Sequence, residues 1–338
     1  MTRSRQAASL AALAAFTAAA AWMPSVLGSA RLFSMSLALI FAVAALSVVV
    51  LTGWTGQTSL AQVTFMGVGA FVAARLMAPG VGLPLYLAAP VAVLAAAAVS
   101  VVVGLPALRL RGVYLAVVTL GFAQVMQDAV FNNVGLTGSQ NGLAVARPVL
   151  GRLDLGSEHT LYLLLLGVLV GCCLLVAGLR RSSLGRRMIS LRTTEVGASV
   201  RGIDLVSTKL LAFSLSAALA GLAGVLYALE VQSVGPAPFH PLQSIFLLGL
   251  VVIAGQRSIA AALTAGLLYG WMPPELTRHF ADSSVGPNAT NLVAGVGLLL
   301  VLIGREQLAG QAGRLPRGLW RSPRGLAVTP EITRNAPA

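Results

Sequence analysis

Ten times along this chain the sequence settles into an apolar run, several of them close to the roughly 20 residues that carry a helix across the hydrocarbon core of a bilayer. The runs are Gln6 to Met23, Leu32 to Leu51, Leu60 to Met77, Leu85 to Gly104, Val113 to Val130, Leu161 to Leu179, Leu210 to Leu229, Ile245 to Ala254, Ile259 to Trp271 and Asn291 to Ile303. A run such as Leu161 to Leu179 is apolar on every face, whereas the strands of a membrane barrel alternate apolar and polar residues over about 10 positions. Of the 338 residues 57% are hydrophobic and 10% charged, against about a quarter charged in a soluble domain. The expected fold is therefore all-α, a polytopic transmembrane helical bundle of about ten spans.

The charges organise these spans. A net charge of +13 is compatible with nucleic-acid binding by amount, but its placement argues against it: arginines gather at Arg3 and Arg5, at Arg109 and Arg111, between Arg180 and Lys209, at Arg257 and from Arg305 to Arg334, each just outside an apolar run. That is the positive-inside pattern. With ten spans every one of these clusters falls on one face, which places both termini in the cytoplasm of a bacterial inner membrane. The short runs on either side of Gly255-Gln256-Arg257-Ser258 also admit a single tilted helix or a re-entrant pair, leaving eight spans. The first run follows two arginines and contains Ala18-Ala19-Ala20, so a cleaved signal peptide is an alternative to an anchor. The organisation expected is a first span within residues 1–31, a transmembrane domain over 32–303 with a basic cytoplasmic loop at 180–209, and a disordered basic tail over 304–338.

Several chemistries are disfavoured. The single lysine, Lys209, stands between Thr208 and Leu210, so there is no P-loop in which a Gly-Lys-Ser/Thr run could cradle ATP phosphates. The span centres are almost free of the ionisable residues that proton- or sodium-driven carriers use; Asp128 lies near an outer end. Cys172 and Cys173 are adjacent and read as small core residues, and His159, His240 and His279 lack partners at ligand spacing, so no metal site or enzyme centre is expected.

Three sets of residues carry a resemblance. Gly53-Trp54-Thr55-Gly56-Gln57-Thr58-Ser59-Leu60, Leu105 to Ala116 with Val118-Thr119-Leu120-Gly121-Phe122, and Lys209-Leu210-Leu211-Ala212-Phe213 occur in the order seen in the permease family of branched-chain amino acid ABC importers, and the chain resembles its M-type member. The family's Gly-Gln-x-Ser-Leu-Gly-His appears here with Ala61 and Gln62 at its end, and its Leu-Thr-Gly-Gly loop appears as Leu136-Thr137-Gly138-Ser139-Gln140-Asn141-Gly142-Leu143. The resemblance implies an ABC importer permease fold, a second permease subunit forming a heterodimer, cytoplasmic ATPase subunits that use the ATP, and an extracytoplasmic solute-binding protein, with no cofactor on this chain. It implies branched-chain or other small apolar amino acids as solutes; urea, short amides and other small carboxylates are the alternatives within the family, and a secondary carrier or channel is the alternative outside it.

Two candidate sites follow. Glycines allow a helix to break at membrane depth, where freed N–H groups can meet a carboxylate, and Thr55, Gly56, Gln57 and Ser59, with Thr137, Gly138 and Asn141 of the outer loop, are the expected solute pathway. An interfacial turn with Ser59 as an N-cap is the competing explanation. Glu195, Ala198 and Gly202 match the spacing of the motif by which such permeases dock on their ATPases, and Leu184, Met188 and Leu191 recur at helical spacing ahead of it, the pattern of a short amphipathic helix expected to lie on the membrane surface and press into a groove of the ATPase. The topology has a direct check: in a background lacking Cys172 and Cys173, cysteines at Ser182 and Ser139 should react with an impermeant maleimide from opposite faces, and reaction from one face discards the ten-span arrangement.

Overall fold

A backbone that passes through lipid has to satisfy its own N–H and C=O groups, and in this chain helices do so almost throughout. The computed structural model describes residues 17, 20–25, 28–78, 80–107, 112–137, 142–150 and 153–279. The run from Asn291 to Ile303, the tail and most of the first run lie outside them. All the described residues fall within one packed unit, residues 1–301.

Eight helices make the bundle: α1 (Ser29–Val48), α2 (Gln62–Met77), α3 (Leu85–Ala107), α4 (Val113–Met126), α5 (Glu158–Arg181), α8 (Leu205–Val231), α9 (Pro241–Ala254) and α10 (Ile259–Gly270). Between α5 and α8 lie the short helices α6 (Ser183–Thr193) and α7 (Glu195–Val200), and α11 (Met272–His279) follows α10. Five helices are long and apolar enough to cross a membrane: α1 with its extension to Thr55, α3, α4 with its extension to Phe131, α5 and α8. The 16-residue α2, 14-residue α9 and 12-residue α10 are shorter; at 1.5 Å per residue, α2 is about 24 Å long and does not reach through a core of roughly 30 Å unaided. The two runs around Gly255-Ser258 are separate helices.

Burial ranks the helices. In α1 89% of the apolar window is buried, against 67% in α8, 44% in α5, 28% in α3 and 22% in α4. The bundle is thus built around α1 and α8, with α3 and α4 on its outside.

Small residues set how closely the helices approach, as expected where apolar exclusion supplies no drive between helices. A Cβ on Gly266 would stand 2.4 Å from Ala42 Cα, and one on Gly270 2.4 Å from Ala38 N, so α10 lies antiparallel along α1 with backbones in contact. Where α2 crosses α8, a Cβ on Gly69 would stand 2.2 Å from the Gly221 carbonyl oxygen and one on Gly224 1.9 Å from that of Met66. Ala262, Gly266 and Gly270, small residues at every fourth position, therefore form a packing face. Gly167 and Gly171 share that spacing, but among the described residues nothing stands within 4 Å of their Cβ positions, because α5 meets the core through Leu161, Leu165, Leu169, Cys172, Cys173 and Val176.

The two ends of the bundle differ. At one, Phe71 stacks on Phe131 at 5.0 Å and the Phe239 ring meets Phe71, Phe131 and Tyr227 at 5.6–6.0 Å, and Leu143–Ala144 pairs with Ser233–Val234. Arg147 donates to the last carbonyls of α8, Leu229 (3.2 Å) and Glu230 (3.1 Å), and its guanidinium lies 4.0 Å from the Glu230 carboxylate. Arg31 and Arg278 pair there with Glu275 at 3.7 and 2.8 Å. At the other end lie the residues 49–61, the basic segment 182–204 and the turn 255–258.

The crossing of α2 and α8 predicts a sharp contrast. Gly224→Val should lower the thermal midpoint of the detergent-solubilised protein or abolish its accumulation, since overpacking a tight contact costs about 1–3 kcal/mol or more, whereas Gly171→Ala should leave the midpoint unchanged; a differential scanning measurement on both variants checks it.

Candidate functional site

The α-helical ladder of α1 does not stop at Leu51. It widens into a π-helix over Val49–Thr55, ends at Gly56 with φ 75° in the left-handed region, and runs unstructured to Ala61 before α2 begins. The polar segment from Thr52 thus continues the helix for a further turn, and the break proper is Gly56 to Ala61. Thr52, Thr55, Gln57 and Ser59 are all buried and Gly56 is exposed.

Hydroxyls satisfy much of this irregular backbone. The Thr52 hydroxyl donates to the Gln57 carbonyl at 3.0 Å and that of Thr55 to the Leu51 carbonyl at 2.6 Å, while the Gln57 N–H donates back to Thr55 Oγ1 at 3.3 Å. The start of α2 is held from neighbouring helices: Leu60 N–H donates to Thr119 Oγ1 of α4 at 3.0 Å, and Val63 N–H to Ser244 Oγ of α9 at 3.1 Å. Ser59 accepts only from Ala61 N–H, at 3.4 Å. Ala61 is the N-cap of α2 and makes no side-chain cap, so Ser59 does not take that place; the freed N–H groups of Leu60, Ala61 and Val63 are occupied by hydroxyls rather than held open. Deeper in, Gln62 Oε1 lies 3.0 Å from the Ser47 hydroxyl and 3.2 Å from that of Ser216.

Among the described residues two buried polar atoms at this end of α1 have no hydrogen-bond partner, Gln57 Oε1 and Trp54 Nε1. An orphaned buried acceptor costs about 1–3 kcal/mol, so Gln57 Oε1 is free to accept from a donor that the described bundle does not supply.

The basic segment seats directly on this break. Ser182 accepts from Gly185 N–H (3.2 Å) and caps α6, an amphipathic helix that buries Met188 and Leu191 with Leu184 packed beside them and exposes Arg186 and Arg187. From its last turn Arg192 donates to the carbonyls of Thr52 (3.1 Å) and Gly53. Burial and then the nearby Arg257 guanidinium lower the Arg192 pKa from its ordinary value, yet an arginine keeps its charge. A Cβ on Gly53 would also stand 2.0 Å from the Gln256 carbonyl oxygen, so the 255–258 turn closes against the break. That turn shares a left-handed glycine with the break, Gly255 at φ 99°, but there the serine is the helix cap: Ser258 caps α10 through Ala261 N–H at 3.1 Å.

In the second candidate motif, α7 begins at Glu195 and buries Ala198. Gly202, φ 72°, donates to the Ser199 carbonyl at 2.9 Å and Ile203 to that of Ala198 at 3.2 Å, the paired bonds that close a helix on a left-handed residue. Beyond it Asp204 caps α8; its carboxyl is held below the usual carboxylate range by the Ser207 hydroxyl, with the Ser207 and Val206 N–H groups contributing.

The structure brings Thr55, Gly56, Gln57 and Ser59 together and places Thr137 toward the opposite end of the bundle, where its hydroxyl donates to the Asn133 carbonyl at 2.8 Å. Gly138 and Asn141 lie outside the described residues. The site also contains Arg192, Thr119 and Ser244, which sequence reasoning did not single out. Arg192 reads as one more topology-setting arginine, and nothing local marks a contact spanning 140 positions.

Comparison with known proteins agrees with this architecture. Residues 30–302 match the sequence profile of a family described as the permease component of the branched-chain amino acid transport system. The high-affinity branched-chain amino acid transport system permease protein LivM of Escherichia coli (strain K12) is 32% identical over 313 residues, covering 86% of this chain and 72% of the relative. The protein of the same name from Salmonella typhimurium is 31% identical over 319 residues, covering 87% and 73%. No solved structure matches the chain.

The orphaned oxygen makes a stability prediction. Gln57→Leu should leave the thermal midpoint in detergent unchanged or raise it, whereas Ser244→Ala, which strips Val63 N–H of its acceptor, should lower stability by about 1 kcal/mol; thermal unfolding of the two variants beside the parent decides.

Proposed function

The chain belongs to the branched-chain amino acid transport permease family, and from that premise we propose that it is the M-type transmembrane subunit of a binding-protein-dependent ABC importer for branched-chain or other small apolar amino acids. A second permease subunit completes the pathway, cytoplasmic ATPase subunits bind and hydrolyse the ATP, and an extracytoplasmic protein delivers the solute. The eight described bundle helices plus the runs Gln6 to Met23 and Asn291 to Ile303 give ten spans. The end carrying the break and the basic segment 182–204 faces the cytoplasm of the inner membrane, and both termini lie on that side.

The observation that carries this reading is the seating of the basic segment on the helix break. A loop that only set topology has no need of a buried apolar face, yet α6 packs Met188 and Leu191 against the bundle and meets the break through Arg192. Beyond it, Val200 and Val206 stand 83% and 57% exposed among charged neighbours, an apolar surface suited to a groove on a protein partner. Glu195, Ala198 and Gly202 form the docking element. Thr55, Gly56, Gln57 and Ser59 line the solute pathway near the cytoplasmic end, with Gln57 Oε1 the group offered to a polar solute, and alternating access arises as ATP binding shifts the population between states.

Uptake of labelled leucine into proteoliposomes tests the assignment. Transport that requires the ATPase subunits and the binding protein supports it; transport by the permease subunits alone supports a channel or secondary carrier. Within that assay Gln57→Leu should reduce uptake while the ATPase still co-purifies, and competition by urea or acetamide in place of leucine moves the solute class.

The docking motif gives a discriminating pair. Gly202 needs a left-handed backbone, which asparagine adopts far more readily than valine. Gly202→Val and Glu195→Lys should each reduce ATP-driven uptake by about tenfold or more. Recovery by Gly202→Asn marks a purely conformational demand, and continued loss marks close approach of the ATPase; co-purification and uptake together provide the measurement.

A further inference from the structure

Arg192 occupies a position that neither topology nor docking requires. The N-terminal end of α6 is stacked on the end of α5, since a Cβ on Gly185 would stand 2.1 Å from the Leu179 carbonyl oxygen. From there α6 reaches across to the break as a short rod. Its last turn places Arg192 against the π-helical end of α1, with a Cβ on Gly56 standing only 3.3 Å from Arg192 Cγ.

The carbonyls it meets are ones the helix cannot satisfy. In a π-helix the Thr52 carbonyl would accept from Gln57 N–H, but that N–H is turned to Thr55 Oγ1. Arg192 Nη1 takes the acceptor instead, together with the Gly53 carbonyl. The conformation of the break is thus held by donors and acceptors from several elements: Thr119 of α4, Ser244 of α9, and Arg192. The first two belong to bundle helices. Arg192 alone of the three belongs to the segment that connects α5 to α8 outside the bundle, and the 255–258 turn also closes against Gly53.

We propose that Arg192 is the positioning residue through which displacement of the coupling segment reaches the solute pathway: while bonded to Thr52 and Gly53 it holds the end of α1 in its π-helical form, and withdrawal of α6 frees those carbonyls and lets the break rearrange. This rests on the permease assignment above. Both bonds come from the one nitrogen Nη1; a lysine ammonium carries enough donors to remake them in part from its shorter stem, and the shorter, neutral glutamine amide less well.

The experiment uses the whole importer in proteoliposomes, with Arg192→Gln and Arg192→Lys beside the parent, and reads ATPase co-purification, ATP hydrolysis, leucine uptake and hydrogen exchange. In Arg192→Gln the ATPase should co-purify and hydrolysis should stay within about twofold, while leucine moved per ATP falls by about tenfold or more; Arg192→Lys should recover part of that ratio. Exchange in residues 50–61 should respond to ATP in the parent and not in Arg192→Gln, with residues 183–193 responding in both. A merely structural anchor would lower hydrolysis and uptake together and overturns the proposal. Loss of ATPase co-purification makes Arg192 a docking residue and overturns it too, as does a parent-like ratio in Arg192→Gln. Should Arg192→Gln fail to insert, the proposal stands or falls on Arg192→Lys, whose ratio must drop and whose ATP-dependent exchange at 50–61 must weaken. A parent importer that shows no ATP-driven uptake removes the permease assignment and this link together, whereas parent uptake with an unaltered variant ratio removes the link alone.

Discussion

An interrupted helix in an apolar bundle leaves N–H and C=O groups that lipid cannot solvate, and the rest of this structure is arranged around meeting them. The break at Gly56 to Ala61 is tolerated because hydroxyls converge on it: Thr52 and Thr55 from within, Thr119 from α4, Ser244 from α9. Thr119 and Ser244 come from distant stretches of sequence, so the break exists only once the bundle has assembled. The glycine contacts serve a related end. Gly69 and Gly224 let α2 cross α8 at backbone distance, where the Ser216 hydroxyl of α8 lies 3.2 Å from Gln62 Oε1 at the start of α2.

Much of this was legible in the sequence, because bilayer thickness translates directly into run length. The helices, the amphipathic spacing of Leu184, Met188 and Leu191, and the family follow from local pattern; that this apolar face turns to the bundle rather than to a partner does not. The end of α1 did not: Thr52 to Thr55 reads as a polar loop, and it is helical because Thr52 and Thr55 return their hydroxyls to the backbone. Nor did the partners of the break, since a serine at 244 bonded to an amide at 63 leaves no periodic trace. Gly167 and Gly171 show the reverse error. Their spacing is that of a packing face, but packing also depends on which face the neighbouring helix meets, and α1 meets the leucines.

The two ends of the bundle solve the problem of charge differently. Arginines at the end that carries the aromatic cluster are tied to acids or to helix carbonyls, as Arg147 is to Glu230 and Arg278 to Glu275. At the other end Arg192 is bonded to the end of α1, while Arg186 and Arg187 stand exposed on a helix whose opposite face is buried. Pairing fixes a loop in place, whereas a solvated cationic face keeps a surface available to water, headgroups and proteins alike.

The π-helical stretch Val49–Thr55 also bears on how this chain can accept changes in length. Removing one residue from a regular α-helix turns everything beyond it by about 100°, which would swing a packed face away from its neighbours. A π-turn already holds a surplus residue. A deletion there is absorbed as the wide turn tightens into an ordinary one, leaving the register of Ala38 and Ala42 against α10 untouched. The most buried of the five long helices therefore carries one residue of slack at the end where its chain leaves the core, and losing that residue leaves undisturbed the seam it forms with α10.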